Sequence, residues 1–201
     1  MSKSQTRPSC IASKAGWISL RSTLHETMKS ILTLLACLFS QVIFAGTQMD
    51  KFFEAAQYGD IKTIKELLTK NPGLITSKDE YGFNALHLAA TEDNEEMISY
   101  LVSSGLDINT QNDEGIAPLH IASYPEIAEL FIQLGANIEL EDYSGNTPLL
   151  IHSTEPESFE VMEVLLNHGA NYKHKNKSGK TARDYAKSRN EFDKVELLDG
   201  Y

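Results

Sequence analysis

Between residues 79 and 172 the apolar positions come in two alternating kinds of short run. The first kind is compact, as in Ala85–Ala90 (ALHLAA), and is too brief to stand as a lone helix in water. The second is spaced at three and four residues, as in Met97, Ile98, Leu101 and Val102, which predicts a helix with one apolar face. Gly105 follows, suited to a left-handed C-cap, and then a polar link. The stretch Asp79–Gln111 is the pattern for what comes after it. Its turn glycine, Gly82, recurs as Gly115, Gly145 and Gly179 at steps of 33, 30 and 34 residues, and Gly105 recurs as Gly135 and Gly169 at steps of 30 and 34. Such a period predicts a stack of small units, each burying its apolar face only against a neighbour.

Four short motifs stand in phase with these glycines: NALHLA (Asn84–Ala89), APLHIA (Ala117–Ala122), TPLLIH (Thr147–His152) and TARDYA (Thr181–Ala186). They resemble the T-P-L-H-x-A motif of the ankyrin repeat, a β-turn followed by two antiparallel helices. The resemblance covers about Gln48 to Tyr201. It implies an all-α repeat fold, a curved solenoid of helix-turn-helix units joined by β-turn or hairpin loops. About five repeats are expected, caps included, in a protein that binds other proteins and inherits no catalytic residue.

The expected repeat domain is residues 46–201, divided into an N-cap repeat 49–78, repeats 79–111, 112–141 and 142–175, and a C-cap repeat 176–201. In the N-cap, Phe52, Phe53, Ala55 and Ala56 suit a first helix. Asp60 can cap a second, which carries Ile61, Ile64, Leu67 and Leu68 on one face and ends at Pro72-Gly73. The step of 30 reflects a link between helices cut to Ser123-Tyr124-Pro125, with Pro125 in a helix first turn; the step of 34 reflects a longer link, Thr154-Glu155-Pro156. Lys177, Lys180, Arg183, Lys187, Arg189 and Lys194 are expected on the outer side of the C-cap, and Ala182, Tyr185, Ala186, Val195, Leu197 and Leu198 on its inner side.

Residues 1–45 read differently. Met28-Lys29-Ser30 precedes an apolar run of 15, Ile31–Ala45, and then Gly46-Thr47-Gln48. A positive start, an apolar run of that length and small residues at its end predict a secretory signal peptide cleaved after Ala45, with Met28 as a possible true start. An uncleaved membrane anchor and a core helix are the alternatives, but the run falls short of the roughly 20 residues a span needs. Leu34-Leu35-Ala36-Cys37 resembles a lipoprotein box, a lesser option because the apolar run continues beyond Cys37. The location expected is periplasmic or secreted, with no stable membrane span after cleavage. Both cysteines, Cys10 and Cys37, lie in this leader, so the mature chain would have no disulfide.

No catalytic motif is found: no G-x-S-x-G, no phosphate loop and no H-E-x-x-H. No cofactor or metal is expected. His87 and His120 occupy the L-H position, where the family uses the ring to hydrogen-bond a neighbouring loop. His152 stands where the motif has a small residue and Leu150 where it has histidine, which points to a distorted first helix in that repeat. His168 precedes a C-cap glycine, where a cation suits the helix dipole.

Charge changes the picture most. From Asp79 to Tyr172 there are 18 acidic residues and no Lys or Arg. Without the leader the chain carries 13 Lys and Arg against 27 Asp and Glu, a formal −14. Nucleic acid would be repelled and is excluded as a partner. Two readings of the acidity stay open: a solvated surface, or a docking face for a basic protein. Matched to the family, contacts fall at the turn tips and the start of the concave helix. These are Glu80, Tyr81 and Phe83; Asp113, Glu114 and Ile116; and Tyr143, Ser144 and Asn146, with Glu92 and Asp93 at a first helix's end. Phe83 and Ile116 equally suit stapling adjacent turns, while Tyr81 and Tyr143 favour contact.

The function expected is a non-enzymatic, monomeric interaction module exported to a bacterial envelope. It would bind a basic protein partner through an acidic concave face, as an immunity or inhibitor protein. A scaffold for an endogenous periplasmic enzyme and a host-directed effector are the alternatives.

Overall fold

The computed structural model describes residues 47–201. The expected signal peptide, its cleavage after Ala45, the start at Met28 and the lipid anchor at Cys37 fall outside the described residues. Gln48–Tyr201 forms one compact unit.

Helical residues 47–57 (α1) lead into α2 (Ile61–Lys70), and a 3₁₀ turn over Pro72–Thr76 ends the N-terminal repeat. Asp60 caps α2 as its position predicts, accepting from Thr63 N–H at 3.0 Å. The second unit holds α3 (Ala85–Ala90) and α4 (Glu95–Ser103), the third a 3₁₀ turn (Pro118–Ile121) and α5 (Pro125–Gln133). The fourth holds α6 (Pro148–His152) and α7 (Phe159–Asn167), the last α8 (Ala182–Ser188) and α9 (Phe192–Asp199). No strand occurs among the described residues. The result is an all-helical ankyrin-type stack.

Two rows result. The first helices touch in order, α3 on the Pro118–Ile121 turn, that turn on α6, and α6 on α8; among the second helices α5 packs on α7 and α7 on α9. Leu86, Leu101, Leu119, Phe131, Leu149, Met162 and Leu165 are buried between the rows, so one apolar layer runs through all the units.

Each turn is built by one side chain three residues ahead of its glycine. Asp79 Oδ1 accepts from the N–H groups of Tyr81 and Phe83, Asn112 Oδ1 from Glu114 and Ile116, and Asp142 Oδ1 from Ser144 and Asn146. Asn176 repeats this with Ser178 and Lys180. An Asx side chain closing the turn leaves the glycine with positive φ, +82° at Gly115. Neighbouring turns join through backbone bonds: Asp113 N–H to Tyr81 O, Tyr143 N–H to Glu114 O and Lys177 N–H to Ser144 O, all at 3.0–3.1 Å. The histidines bind across the same joint, His87 Nε2–H to Ile116 O at 2.9 Å and His120 Nε2–H to Asn146 O at 3.2 Å.

Two expectations are corrected. The distorted first helix is the one in repeat 112–141, not the one carrying His152: α6 stays α-helical, while Pro118–Ile121 tightens to 3₁₀. The cut link has no room for a full helical turn. The second correction is Lys194, which is 1% exposed rather than on the outer side of the C-cap. Its ammonium reaches backbone carbonyls that need a donor.

Candidate interaction surface

At the turn tips Glu80, Tyr81, Asp113, Glu114, Tyr143 and Ser144 are exposed, and Phe83, Ile116 and Asn146, each four residues after the Asx, are half-buried. The backbone bonds between turns hold all nine along one edge. Tyr81 and Tyr143 are 63% and 62% exposed, although one edge of the Tyr143 ring lies over Gly115. Phe83 meets the His87 ring edge-on at a centroid distance of 5.3 Å, so its ring staples the turn to its own helix. Glu92 and Asp93 lie at the opposite end of α3, away from the tips.

The acidic run does not make one face. Asp79, Glu80, Glu92, Asp93, Asp113, Glu114, Asp142, Glu155 and Glu157, nine of the 18, stand on the turns and links that bracket the first helices. The other nine stand on second helices and the loops after them, and the first helices themselves carry none. Asp142 is moreover buried and committed to its turn, with Oδ2 taken by the Asn146 amide at 2.7 Å. On the second-helix side, Glu129 pairs with His168 at 2.7 Å; the Gln133 amide, then His168, hold its carboxyl below the usual range. A neutral floor with two acidic edges therefore replaces the continuous wall expected.

The shortened link opens a feature that the motifs do not predict. A groove of about 570 Å³ lies between the ends of the first helices, lined by Ile121, Tyr124, Ile151, His152, Glu155 and Glu157 among others. Because the 3₁₀ turn ends early, Ser123 N–H donates to Ala90 O in the preceding unit at 3.2 Å instead of continuing a helix onto Leu119. The Leu119 carbonyl accepts a hydrogen bond from His152 Nε2–H, also at 3.2 Å. The irregular His152 thus serves the irregular link one unit earlier. The departure from T-P-L-H-x-A was visible in the sequence; its partner was not, because the two lie 33 residues apart. Burial pushes the His152 imidazole down to about 4, so it is neutral near pH 7.

Among the described residues no group of three or more His, Cys, Asp or Glu could hold a metal ion, and no helix is long and apolar enough to cross a membrane.

Comparison with known proteins agrees with the fold. A family model for ankyrin repeats, in three copies, matches residues 52–142. The human transient receptor potential cation channel subfamily A member 1 is 33% identical over 139 residues, 65% of this chain and 12% of the channel. The mouse B-cell lymphoma 3 protein homolog is 31% identical over 118 residues, 55% of this chain and 26% of that protein. Human protein phosphatase 1 regulatory subunit 27 is 29% identical over 117 residues, 57% of this chain and 75% of that protein. The chain therefore spans only a small part of two of these relatives and about three quarters of the third. With the glycine period, the Asx-closed turns, the paired rows of helices and the family match in accord, the chain carries ankyrin repeats, stacked as an all-helical ankyrin solenoid over the described residues.

Proposed function

We propose that the chain is a non-enzymatic module exported to a bacterial envelope, where it binds a basic protein through the acidic edges of its first-helix face, as an immunity or inhibitor protein. One observation carries the choice of partner: nine acidic residues on the turns and links that bracket the first helices, with no Lys or Arg between residues 79 and 172, beside exposed tyrosines at the turn tips. A field of one sign speeds encounter with a partner of the other and penalises wrong partners. Rings such as Tyr81 and Tyr143 then supply the desolvated contact that a charge pattern cannot. Export rests on the sequence of residues 28–48.

The test is capture with the purified chain, compared with a variant carrying Tyr81→Ala and Tyr143→Ala. Recovery of basic envelope proteins, released by salt and lost with the two rings, supports the reading. Binding indifferent to salt, or recovery of acidic proteins alone, overturns it. A second reading, a regulator or scaffold of an endogenous enzyme, draws on the relative named as a phosphatase regulatory subunit. A deletion strain that loses one resident enzyme's activity without any toxin present would favour it.

A further inference from the structure

We infer that the groove at the ends of the first helices is a receptor for a single arginine side chain presented by the basic partner, separate from the turn tips. The inference rests on the proposal that the partner is basic, and it names where and by what chemistry the partner is read.

The groove offers four things to such a side chain. Ile121 and Ile151 give apolar wall for the methylene stem. Tyr124, 40% exposed at the rim, gives a ring face on which a guanidinium can stack. Glu155 and Glu157, both exposed, give carboxylates at the mouth. The fourth is His152, which is 2% exposed and lines the groove. Since Nε2 carries the proton donated to Leu119 O, Nδ1 keeps a lone pair, and it is the one buried side-chain nitrogen or oxygen without a hydrogen-bond partner among the described residues. A buried acceptor without a donor calls for one. A guanidinium carries five N–H donors and no acceptor, so it can serve the rim carboxylates and the imidazole together.

One cation stands beside the groove: the Lys194 ammonium donates to the backbone carbonyls of His152 and Glu155, so its hydrogen bonds are spent on the backbone while the side-chain carboxylates of Glu155 and Glu157 stay exposed at the mouth. The groove also exists only because two irregularities meet, the cut link after Ile121 and the lengthened one after His152. A regular repeat pair would fill it with helix.

The test is an NMR titration of the full chain with N-acetyl-arginine amide, with N-acetyl-glutamine amide as the uncharged control. Expected are saturable shifts of the Ile121, Ser123, Ile151 and Glu157 amides, and an upfield move of the His152 Nδ1 nitrogen resonance as its lone pair accepts a hydrogen bond. The glutamine probe leaves these signals in place. Glu155→Gln with Glu157→Gln, both at exposed positions, removes the arginine shifts while the spectrum stays dispersed, so loss of fold and loss of binding are told apart. Shifts at Tyr81 and Tyr143 alone overturn the groove and leave the basic-partner proposal standing. Shifts spread over every acidic residue and abolished by salt overturn it as well, as general charge attraction. No response anywhere, together with no salt-sensitive capture of basic proteins, overturns both.

Discussion

The ammonium of Lys194 donates to the carbonyl oxygen of His152 at 3.2 Å, across 42 residues of chain, and also to that of Glu155. A helix end leaves its last carbonyls without internal partners, and α6 ends at His152. A cation there suits both the orphan carbonyls and the helix dipole. The lysine thereby ties α9 of the closing repeat to the lengthened link of the repeat before it. Burial lowers the Lys194 pKa, so the fold bears a desolvation cost that the carbonyl contacts must offset.

Replacing Lys194 separates stem from head. Lys194→Ala removes three methylenes and the ammonium from a buried site and orphans two carbonyls, at a cost of about 2–4 kcal/mol. Lys194→Met restores most of the packing and is expected to fall between wild type and alanine. Urea unfolding of the three proteins measures the order; equal stability of all three would mean that the clamp contributes nothing.

His152→Ala is the second prediction. It returns the position to the small residue of the repeat motif, which sequence alone would score as a repair. Here it takes the donor from Leu119 O and opens a void beside the 3₁₀ turn. The expected change is a loss of about 2–4 kcal/mol and faster hydrogen exchange at Ser123, whose bond to Ala90 O depends on the turn's position. Increased stability would show that the Leu119 contact is idle.

Much of the fold was legible because its rules are local. The glycine period placed every turn, Asp60 announced the start of α2, and Pro125 the start of α5. What stayed hidden depends on pairs far apart in the chain. Lys194, flanked by Glu191, Asp193 and Glu196, reads as one more solvated charge until His152 O and Glu155 O are seen beneath it. The acids gave the same trouble in reverse: counted along the chain they make a continuous run, but helix geometry deals them alternately to both rows and leaves the first helices neutral. The Asx residues at 79, 112, 142 and 176 were in plain view at a fixed three residues before each glycine. Their signal was available and lay in that spacing.

Two glycines separate backbone strain from crowding. Gly115 has φ +82°, and a Cβ there would lie 2.6 Å from the backbone nitrogen of Tyr143, the atom that bonds Glu114 O. Gly135 has φ +93° with open space around it. Gly135→Ala should cost about 1–2 kcal/mol from the left-handed backbone alone. Gly115→Ala should cost clearly more, by about a further 1–3 kcal/mol, because the Tyr143 rung must move. Thermal melts of both variants test the difference, and equal losses would deny the close approach between turns.

Acid should unfold the stack through its neutral histidines. Burial pushes the rings of His87 and His152 from 6.5 to about 4, and lowers that of His120 as well. In the unfolded chain the same rings take up protons near 6.5. Between about pH 6.5 and 4 the unfolded state therefore binds more protons, and stability rises with pH across that window. The contribution is present in full above pH 6.5 and is lost as pH falls towards 4, on the order of 3 kcal/mol each for His87 and His152. His87→Gln isolates one share: a glutamine three residues after Asn84 can still close the reciprocal cap on the Asn84 N–H, without a group that titrates in the window. Urea midpoints for wild type and His87→Gln at pH 7.5 and 4.5 should show the variant losing less stability on acidification. An identical loss in both proteins would mean that His87 is not held neutral by the fold.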